Sequence, residues 1–333
     1  MMKCLSPVTI EGTYNAKEKK TVYTTNRKTQ ASETNGYMVS CGQCIACRIN
    51  RARIWSVRNA HEAMFHDQHC FITLTYNPES LPDDLSVSNE VHQNFLKRLR
   101  KTVWEQERKK IRFYMAAEYG QPDEYEKQEG LSRIGRPHYH YLIYGWTPKD
   151  LEYLKTVKEH HYYTSETVLK AWQNQGFVVI GNVTPESAAY VAGYCTKKIT
   201  GDSQEEHYTR IHPDTGQIVK ANPEFQRCSI GIGKQWVEKY HNDLRKGYIV
   251  FDGKIYPVPR YYMQVLDKMC DELPPGNQKK LQLIELIDDI QQNRVDETNF
   301  EVLPDFEKLN YRYDVAKVYQ ERATERQTLN EQF

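Results

Sequence analysis

The amino-acid sequence predicts an α+β protein, and two observations lead to this class. Between residues 67 and 200, β-rich runs and amphipathic stretches follow one another in the order β-α-β-β-α-β, which is the order of the split βαβ, ferredoxin-like unit with an antiparallel sheet and flanking helices. The C-terminal third has helical periodicity and an acidic composition, which predicts a mainly helical region. With 333 residues, 39% of them hydrophobic and 27% charged, the chain is long enough for one large or two modest globular domains.

The segment before the sheet is polar at first and then helical. Residues 5–40 lack apolar periodicity and predict a loop-rich segment with a short hairpin around Thr21 to Thr25. A helix is predicted from about Cys44 to Phe65, because apolar residues recur there and no Pro or Gly interrupts them. This helix would present a row of arginines, namely Arg48, Arg51, Arg53 and Arg58.

Four runs of β-branched and aromatic residues predict the strands of the sheet. These runs are Phe71 to Tyr76, Ile111 to Tyr119, His138 to Gly145 and Phe177 to Val183. Helices are predicted between them at Asn89 to Val103 and at Thr164 to Gln173. A third helix begins with the N-cap and first-turn residues Thr184-Pro185-Glu186 and runs to about Lys198. Because the helices of such a unit cover one face of the sheet, we expect the other face to be free to carry a site.

The C-terminal region contains a predicted hairpin over Tyr248 to Tyr256, and helices over Gln278 to Gln292 and Tyr311 to Thr328. Gly231 to Lys234 is similar to part of a phosphate-binding loop. It lacks the first glycine and the terminal Ser or Thr of a Walker A motif, so we interpret it as a turn before a helix.

Charge is distributed unevenly along the chain. Residues 1–60 contain ten Lys and Arg against three Asp and Glu, whereas residues 261–333 contain nine against fifteen. A basic first segment favours a polyanionic partner, although a charged run is often only a solvated surface. We find neither a long apolar run nor an apolar signal segment, so we expect no membrane association and a location in a reducing cytosol.

Two histidines and a glutamate form a candidate metal site. His138 and His140 occupy positions i and i+2 of a predicted strand, so both imidazoles leave the same face of the sheet. Glu118 lies at the end of the preceding strand and can complete a two-histidine, one-carboxylate set if the two strands pair. Such a set suits a divalent metal ion with open coordination positions. The alternative is a pair of ordinary surface histidines.

Two tyrosines form a candidate nucleophile pair. Tyr190 and Tyr194 stand at i and i+4 of a predicted helix, and Lys197 and Lys198 follow on the same stripe. A tyrosine can act as a covalent nucleophile, and a nearby cation stabilises the developing charge. Gly193 lowers the helix propensity between them by about 1 kcal/mol and would allow one tyrosine to swing. The alternative is a helix that uses its tyrosines to cover the sheet.

A second candidate metal site is formed by cysteines. Cys41, Cys44 and Cys47 form a C-x-x-C-x-x-C pattern, and Cys4 is a candidate fourth thiolate. A structural zinc ion would stabilise a segment that is too polar to fold on a core of its own. An iron–sulfur cluster and free thiols at the start of a helix are the alternatives.

Three motifs follow one another along the chain: FITLTYN from Phe71, RPHYHYLIYG from Arg136 and YVAGYCTKK from Tyr190. In this order they resemble the three motifs of the rolling-circle replication initiators, the His-hydrophobic-His (HUH) endonucleases. The spacing of the tyrosines and the lysine is similar to that of the subclass from small single-stranded DNA phages. CGQCIACR and AAEYG resemble segments of the replication initiation proteins of microviruses of the gokushovirus type. The resemblance covers residues 41–198 and extends more thinly to PVPRYY at Pro257.

The resemblance implies an organisation and a set of metal ligands. Residues 1–66 would form a basic segment with the cysteine cluster and a helix, residues 67–200 the nuclease domain, and residues 201–333 a C-terminal region that is mixed and then helical and acidic. His138 and His140 match the metal-binding pair, and Glu118 matches the place of the third ligand. The ion expected there is Mg²⁺ or Mn²⁺.

The resemblance also implies a covalent mechanism. Tyr190 and Tyr194 match the two nucleophiles of these enzymes. One attacks the scissile phosphate at the origin, becomes linked to the 5′ end and frees a 3′-OH primer, and the other attacks after one round so that the unit-length circle is closed. Lys198 matches the lysine that assists near the phosphate, with Lys197 as the alternative.

The expected partners are the viral single-stranded and duplex origin DNA in the host bacterial cytoplasm. Phosphate contacts would come from the arginines of the first helix, and a host helicase and polymerase would supply unwinding and synthesis, since no ATPase motif is present. One alternative function is a single-stranded nucleic-acid-binding module of the RNA-recognition type, with Tyr139, Tyr141 and Tyr144 as a stacking platform. A second is a metal-dependent nuclease that uses water and forms no covalent intermediate.

Overall fold

The computed structural model describes residues 4–5, 7–15, 20–26, 37–122, 124, 128, 130, 132, 134–157, 159–194, 198–199, 204–212, 215–251 and 253–293. The predicted helix over Tyr311 to Thr328 and the predicted site residue Lys197 lie outside these residues. The chain forms two compact units, one with the described residues up to Arg51 and the other with those from Ala52 onward.

The first unit contains a small antiparallel sheet. Its strands are β1 (Val8–Asn15), β2 (Lys20–Asn26) and β3 (Tyr37–Val39), and β1 lies in the centre. The prediction of a loop-rich segment over residues 5–40 was therefore wrong in these three stretches. Their Thr, Val and Tyr residues favour extended backbone without alternating apolar and polar residues, so the periodicity used for prediction is missing. Helix α1 (Ile45–Ala63) begins at the end of this unit, close to the predicted start.

The second unit contains a seven-stranded antiparallel sheet with the order β12-β5-β6-β4-β9-β8-β7. The strands of this unit are β4 (His69–Tyr76), β5 (Arg112–Tyr119), β6 (Pro137–Tyr144), β7 (Leu151–Val157), β8 (His160–Ser165), β9 (Gly176–Gly181), β10 (Thr209–Ile211), β11 (Ile218–Lys220), β12 (Phe225–Cys228), β13 (Tyr248–Phe251) and β14 (Lys254–Pro257). The four predicted strands are β4, β5, β6 and β9, and their order β5-β6-β4-β9 is the ferredoxin-like one. The predicted fold class is thus confirmed.

Seven further helices lie in the described part of the second unit. They are α2 (Asn89–Glu107), α3 (Glu166–Ala171), α4 (Pro185–Gly193), α5 (Gln204–Tyr208), α6 (Lys234–Tyr240), α7 (Arg260–Asp271) and α8 (Gln278–Gln292). None of the helices in the described ranges is long and apolar enough to cross a membrane.

The segment from Leu151 to Ala171 differs from the prediction of a helix over Thr164 to Gln173. It begins with the β7–β8 hairpin, which adds two strands to the sheet edge, and only Glu166–Ala171 is helical. The Ser165 hydroxyl accepts a hydrogen bond from the Val168 amide at 3.2 Å, so this residue ends the strand and caps the helix. A residue that serves both elements shifts the boundary away from where propensity alone puts it.

The two faces of the seven-stranded sheet are both covered. One face packs against α2 and α3 in the largest hydrophobic core, which includes Ile72, Phe95 and Trp172. The opposite face packs against Trp55 of α1 and against Ala188 and Val191 of α4. The expectation that one face stays free was therefore wrong, because apolar residues of α1 and α4 bury part of it.

The C-terminal region has its own core and largely follows the prediction. β13 and β14 form the hairpin expected over Tyr248 to Tyr256, and α8 spans the predicted Gln278 to Gln292. Gly233 has a φ of 78° and immediately precedes α6, which confirms a turn before a helix. Leu244, Leu266 and Leu286 are among the buried side chains that hold these elements together.

Candidate functional site

The register of three adjacent strands brings the predicted metal ligands to one face of the sheet. In the β5–β6 pair Glu118 lies opposite His138, and in the β4–β6 pair Thr75 lies opposite His138 and Thr73 opposite His140. Side chains two residues apart on a strand point to the same face. His138 and His140 therefore share the face that carries Glu118 and both threonines.

Both imidazole rings are held through their Nδ1 atoms. Thr73 Oγ1 lies 2.9 Å from His140 Nδ1, and Thr75 Oγ1 lies 2.8 Å from His138 Nδ1. A hydrogen bond at Nδ1 fixes the ring orientation and the tautomer, which is how histidine ligands are commonly prepared to bind metal through Nε2. Sequence reasoning missed these two threonines. Their i, i+2 spacing in FITLTYN matches that of the histidines and is the signal that could have found them.

The carboxylate predicted as the third ligand meets one of the histidines directly. His140 Nε2 lies 2.9 Å from Glu118 Oε1, and both side chains are buried. A buried carboxylate is costly unless it is hydrogen-bonded or paired. Glu118 is therefore kept in the protein at a position where a cation would also stabilise it.

The three side chains fit a divalent metal ion by their donor chemistry. Two imidazole Nε2 atoms, with their Nδ1 atoms engaged elsewhere, and one carboxylate form the two-histidine, one-carboxylate set. The space beside His138 is also restricted, since a Cβ atom at Gly120 would lie 2.8 Å from His138 Nε2. Gly120 thus leaves room at the nitrogen that would bind the ion.

The predicted tyrosine pair lies against the same histidines. The ring of Tyr194 stacks on His140 with centroids 4.4 Å apart, and the ring of Tyr190 meets His140 edge-on at 5.8 Å. The two tyrosine rings are 4.8 Å apart. Tyr194 is 2% exposed, whereas Tyr190 is half-buried. The structure therefore brings the two candidate motifs together.

Local sequence explains where the tyrosine helix begins and ends. The Thr184 hydroxyl accepts a hydrogen bond from the Ser187 amide at 3.1 Å, the Ser187 hydroxyl accepts one from the Thr184 amide at 2.8 Å, and Pro185 follows the cap. The helix ends at Gly193, so Tyr194 is its C-cap and the prediction of a helix to Lys198 was wrong. Glycine is a poor helix former, which favours an end at this position.

The lysine predicted beside the phosphate does not lie on the tyrosine helix. Lys198 is exposed and lies outside any helix or strand. The stripe that was expected to join it to the tyrosines does not extend that far, so its role near the phosphate stays a prediction that rests on the resemblance alone.

The arginines of α1 have different environments. Arg51 is exposed and donates from Nη2 to the Gly42 carbonyl oxygen at 3.1 Å, and Arg48 and Arg53 are half-buried. Arg58 donates from Nε and Nη2 to the Ile232 carbonyl oxygen at 3.2 and 3.0 Å. Its guanidinium also lies 4.1 Å from the ring centroids of Trp55 and Tyr261. Burial lowers the pKa of Arg58, and these contacts give it a packing role in place of the predicted phosphate contact.

The tyrosines proposed as a stacking platform are inaccessible to bases. Tyr139, Tyr141 and Tyr144 have no exposed surface, and burial raises the pKa of each. The Tyr139 hydroxyl accepts a hydrogen bond from the Ser88 amide at 2.8 Å. The interpretation of these three residues as a base-stacking surface was therefore wrong, since both faces of the sheet are covered.

The four cysteines of the predicted second metal site are also brought together. All four Sγ atoms lie within 4.8 Å of one another, with Cys4 Sγ and Cys44 Sγ 3.8 Å apart. The four residues come from three places in the first unit, namely the segment before β1, the loop after β3 and the first turn of α1.

A ferredoxin-like sheet with paired histidines beneath a tyrosine helix defines an α+β protein with a candidate phosphoryl-transfer site. Residues 69–199 match the family of the replication-associated protein ORF2. The chain is 32% identical over 269 residues to "Replication-associated protein VP4" of Bdellovibrio phage phiMH2K, covering 78% of this chain and 76% of that protein. It is 28% identical over 285 residues to "Replication-associated protein ORF2" of Spiroplasma virus 4, covering 80% and 81%.

The chain belongs to the family of phage replication-associated proteins, in agreement with the resemblance to microvirus replication initiation proteins. A third relative, "Replication-associated protein ORF4" of Chlamydia phage 1, is 28% identical over 246 residues, which are 71% of this chain and 55% of that protein. No solved structure matches the chain significantly.

Proposed function

We propose that this protein nicks the origin of the viral DNA through a 5′-phosphotyrosine intermediate, starts rolling-circle replication and rejoins the unit-length circle. The observation that carries the proposal is the stacking of Tyr194 on His140, with Tyr190 in contact with both rings. Two phenols beside a prepared set of metal ligands suit transesterification of a phosphodiester.

In the proposed reaction a tyrosine phenol oxygen attacks the phosphorus atom. A new bond forms between the phenol oxygen and phosphorus, and the bond between phosphorus and the 3′ oxygen breaks. The phenol loses its proton and the released 3′ oxygen gains one, so the step needs no other reactant. Joining is the reverse exchange, in which a 3′ hydroxyl attacks the phosphotyrosine and the phenol is released.

The roles of this chain's own residues follow from their contacts. Thr73 and Thr75 hold the two imidazoles, and Glu118 with His138 and His140 would hold Mg²⁺ or Mn²⁺, which when bound polarises the phosphate oxygens and offsets negative charge. Burial of Glu118 and His140 in the covered face excludes water from this side of the site. Exclusion of water favours transfer to a hydroxyl over hydrolysis.

The two tyrosines differ in access, and this predicts their order. Tyr190 is half-buried and can reach a strand laid along the open side of α4, whereas Tyr194 is 2% exposed. A buried phenol must first move before it can meet a phosphate. We therefore propose that Tyr190 makes the first attack and that Tyr194 reacts in the joining round.

DNA binding is proposed to use phosphate contacts. Arg48, Arg51 and Arg53 remain the candidates on α1, with Lys198 beyond α4. Binding by such contacts releases counterions and weakens as salt rises. The expected setting is the host bacterial cytoplasm, with a host helicase and polymerase as partners, because the sequence has no ATPase motif.

The test is to incubate the full chain with circular single-stranded DNA that contains the phage origin and with Mn²⁺, and to detect a denaturant-resistant protein–DNA adduct. We expect an adduct for the wild type, and loss of at least ~100-fold for His138→Ala and for the double variant Tyr190→Phe/Tyr194→Phe, since each removes a group used in the transition state. Tyr153→Phe, which changes an exposed tyrosine of β7, is the matched control and should retain the adduct.

The single variants test the order of attack. Tyr190→Phe should lose the first adduct, whereas Tyr194→Phe should form it and fail to release closed circles. The reverse pattern would contradict the proposed order. Cleavage without an adduct that is unaffected by both tyrosine changes would instead identify a nuclease that uses water, and binding without cleavage would leave a DNA-binding module.

A further inference from the structure

Four cysteines in the first unit form a compact sulfur cluster that the proposed nicking reaction does not use. We propose that Cys4, Cys41, Cys44 and Cys47 bind one structural zinc ion as four thiolate ligands. Binding would form four zinc–sulfur bonds and release the proton of each thiol to solvent.

The spacing of the sulfur atoms fits a single ion. A tetrahedral site with zinc–sulfur bonds of about 2.3 Å requires its sulfurs to be about 3.8 Å apart. Cys4 Sγ and Cys44 Sγ are 3.8 Å apart, and all four sulfurs lie within 4.8 Å of one another. An iron–sulfur cluster contains several metal and sulfide atoms and spreads its thiolates further apart. A disulfide would join the sulfurs in pairs and gives no reason for four to converge.

Backbone amides point at these sulfurs in the pattern that supports a thiolate. The amides of Gln43 and Cys44 donate to Cys41 Sγ at 3.4 and 3.2 Å. The amide of Cys41 donates to Cys4 Sγ at 3.2 Å, and that of Leu5 donates to Cys44 Sγ at 3.4 Å. Such amide donors offset the negative charge of metal-bound thiolates and fix their positions.

The loop between the first two ligands of the C-x-x-C-x-x-C pattern is shaped for this arrangement. Gly42 has a φ of 71°, a conformation that glycine adopts without strain, and this lets the loop turn around Cys41. The Arg51 guanidinium donates to the Gly42 carbonyl oxygen at 3.1 Å. Four thiolates and one zinc ion leave a net negative charge, and a fixed cation on the loop compensates it.

The first unit has a further need for a metal ion. Among its described side chains, the hydrophobic cluster consists of Ile45 and Ile49 with Leu5 packed against them. A cluster of this size supplies little free energy of folding, and small polar segments commonly use a metal ion to join their elements. The proposed ion would tie the segment before β1 to the loop after β3 and to the start of α1.

The test is the metal content of the full chain, purified without chelators and measured by inductively coupled plasma mass spectrometry. We expect one zinc per chain, retained after dialysis that removes Mg²⁺ and Mn²⁺. Cys44→Ser and Cys47→Ser should lose it, whereas Cys228→Ser, a cysteine of β12, and His138→Ala should keep it. The His138→Ala arm separates this site from the proposed catalytic one.

A second measurement covers the case in which the cysteine variants do not fold. The wild-type protein is treated with a mercurial, and release of zinc is followed with a chromogenic chelator. Reloading with Co²⁺ should then give the visible absorption of a tetrahedral thiolate site. Iron and acid-labile sulfide in stoichiometric amounts would overturn the proposal in favour of a cluster. Absence of bound metal, with all four thiols alkylated in the native protein, would overturn it in favour of free cysteines.

Discussion

Two hydroxyl groups on β4 orient the imidazoles of the candidate metal site. Thr73 and Thr75 lie directly across from His140 and His138, at hydrogen-bond distance from Nδ1. In this arrangement the neighbouring strand, and not the histidine strand itself, decides which ring nitrogen is available. The FITLTYN motif thus gains a physical role that its hydrophobic residues do not supply.

Removal of these hydroxyls should weaken metal binding without unfolding the protein. Thr73→Val and Thr75→Val keep the side-chain shape and delete the partner of Nδ1, so we expect Mn²⁺ affinity to fall by about 10- to 100-fold, the usual effect of losing such a partner. Titration calorimetry with Mn²⁺ measures this, and adduct formation at rising Mn²⁺ should show the same shift. Thr73→Ser and Thr75→Ser retain the hydroxyl and serve as controls. Equal affinity in the valine and serine variants would refute the assigned role.

Burial separates residues that the sequence treats alike. Tyr139, Tyr190 and Tyr194 all occur in motif segments, yet only Tyr190 is half-accessible. Aromatic residues are common both in sheet cores and at nucleic-acid surfaces. The sequence could not distinguish these uses, because which face is covered depends on α1 and α4.

Helix α4 is the element that carries the proposed nucleophiles, and its cap sets its start. Thr184 and Ser187 form a reciprocal capping box, and Pro185 occupies the first turn. The N-terminus was predictable because capping depends on local residues. Its C-terminus was not, because Gly193 can lie inside a helix or end it, depending on tertiary contacts.

Loss of the cap should affect the site more than overall stability. Thr184→Ala should destabilise the start of α4 by about 1 kcal/mol, and amide exchange in residues 186–192 should become faster. Because Tyr190 lies in this helix, we expect adduct formation to slow several-fold while the melting temperature changes by only a few degrees. Thr184→Ser keeps the capping oxygen and should behave as the wild type. Unchanged adduct formation despite faster exchange would show that the cap does not position the tyrosine.

The β7–β8 hairpin shows a limit of prediction at the scale of elements. LEYLKTV has no strict alternation, and HHYYTS runs into a helix through Ser165. The strands are stabilised mainly by pairing with each other and with β9 at the sheet edge. Such long-range pairing leaves little trace in local periodicity.

At the scale of the molecule, the C-terminal core couples folding to pH through a buried histidine. His61 stacks on Trp236 with ring centroids 3.8 Å apart, and its Nδ1 lies 2.8 Å from the Tyr262 hydroxyl. Burial lowers the pKa of His61 to about 3 in the folded protein. The unfolded chain has an ordinary histidine pKa of about 6.5, so it binds a proton that the folded state excludes.

The free energy of unfolding should therefore fall on acidification. The contribution of His61 is fully present above pH ~6.5 and is lost progressively down to pH ~3, with a limiting slope of about 1.4 kcal/mol per pH unit. His61→Gln should be less stable at neutral pH and show a shallower pH dependence. Urea unfolding followed by tryptophan fluorescence between pH 7.5 and about 4.5 measures both.

The matched control for this prediction is His160→Gln, a change at an exposed histidine of β8. It should leave the pH dependence of the wild type unchanged. A slope in His61→Gln equal to that of the wild type would show that this histidine is not the group that titrates.

The sequence by itself determined the ferredoxin-like strand order, the hairpin over Tyr248 to Tyr256, helix α8 and the residue types of the candidate site. These features depend on local propensity, caps and short spacings, which are written in consecutive residues. Only the tertiary structure decided that Thr73 and Thr75 hold the histidines, that both sheet faces are covered and that Arg58 packs between rings. These features depend on strand register and on contacts between residues far apart in the chain, which no local pattern records.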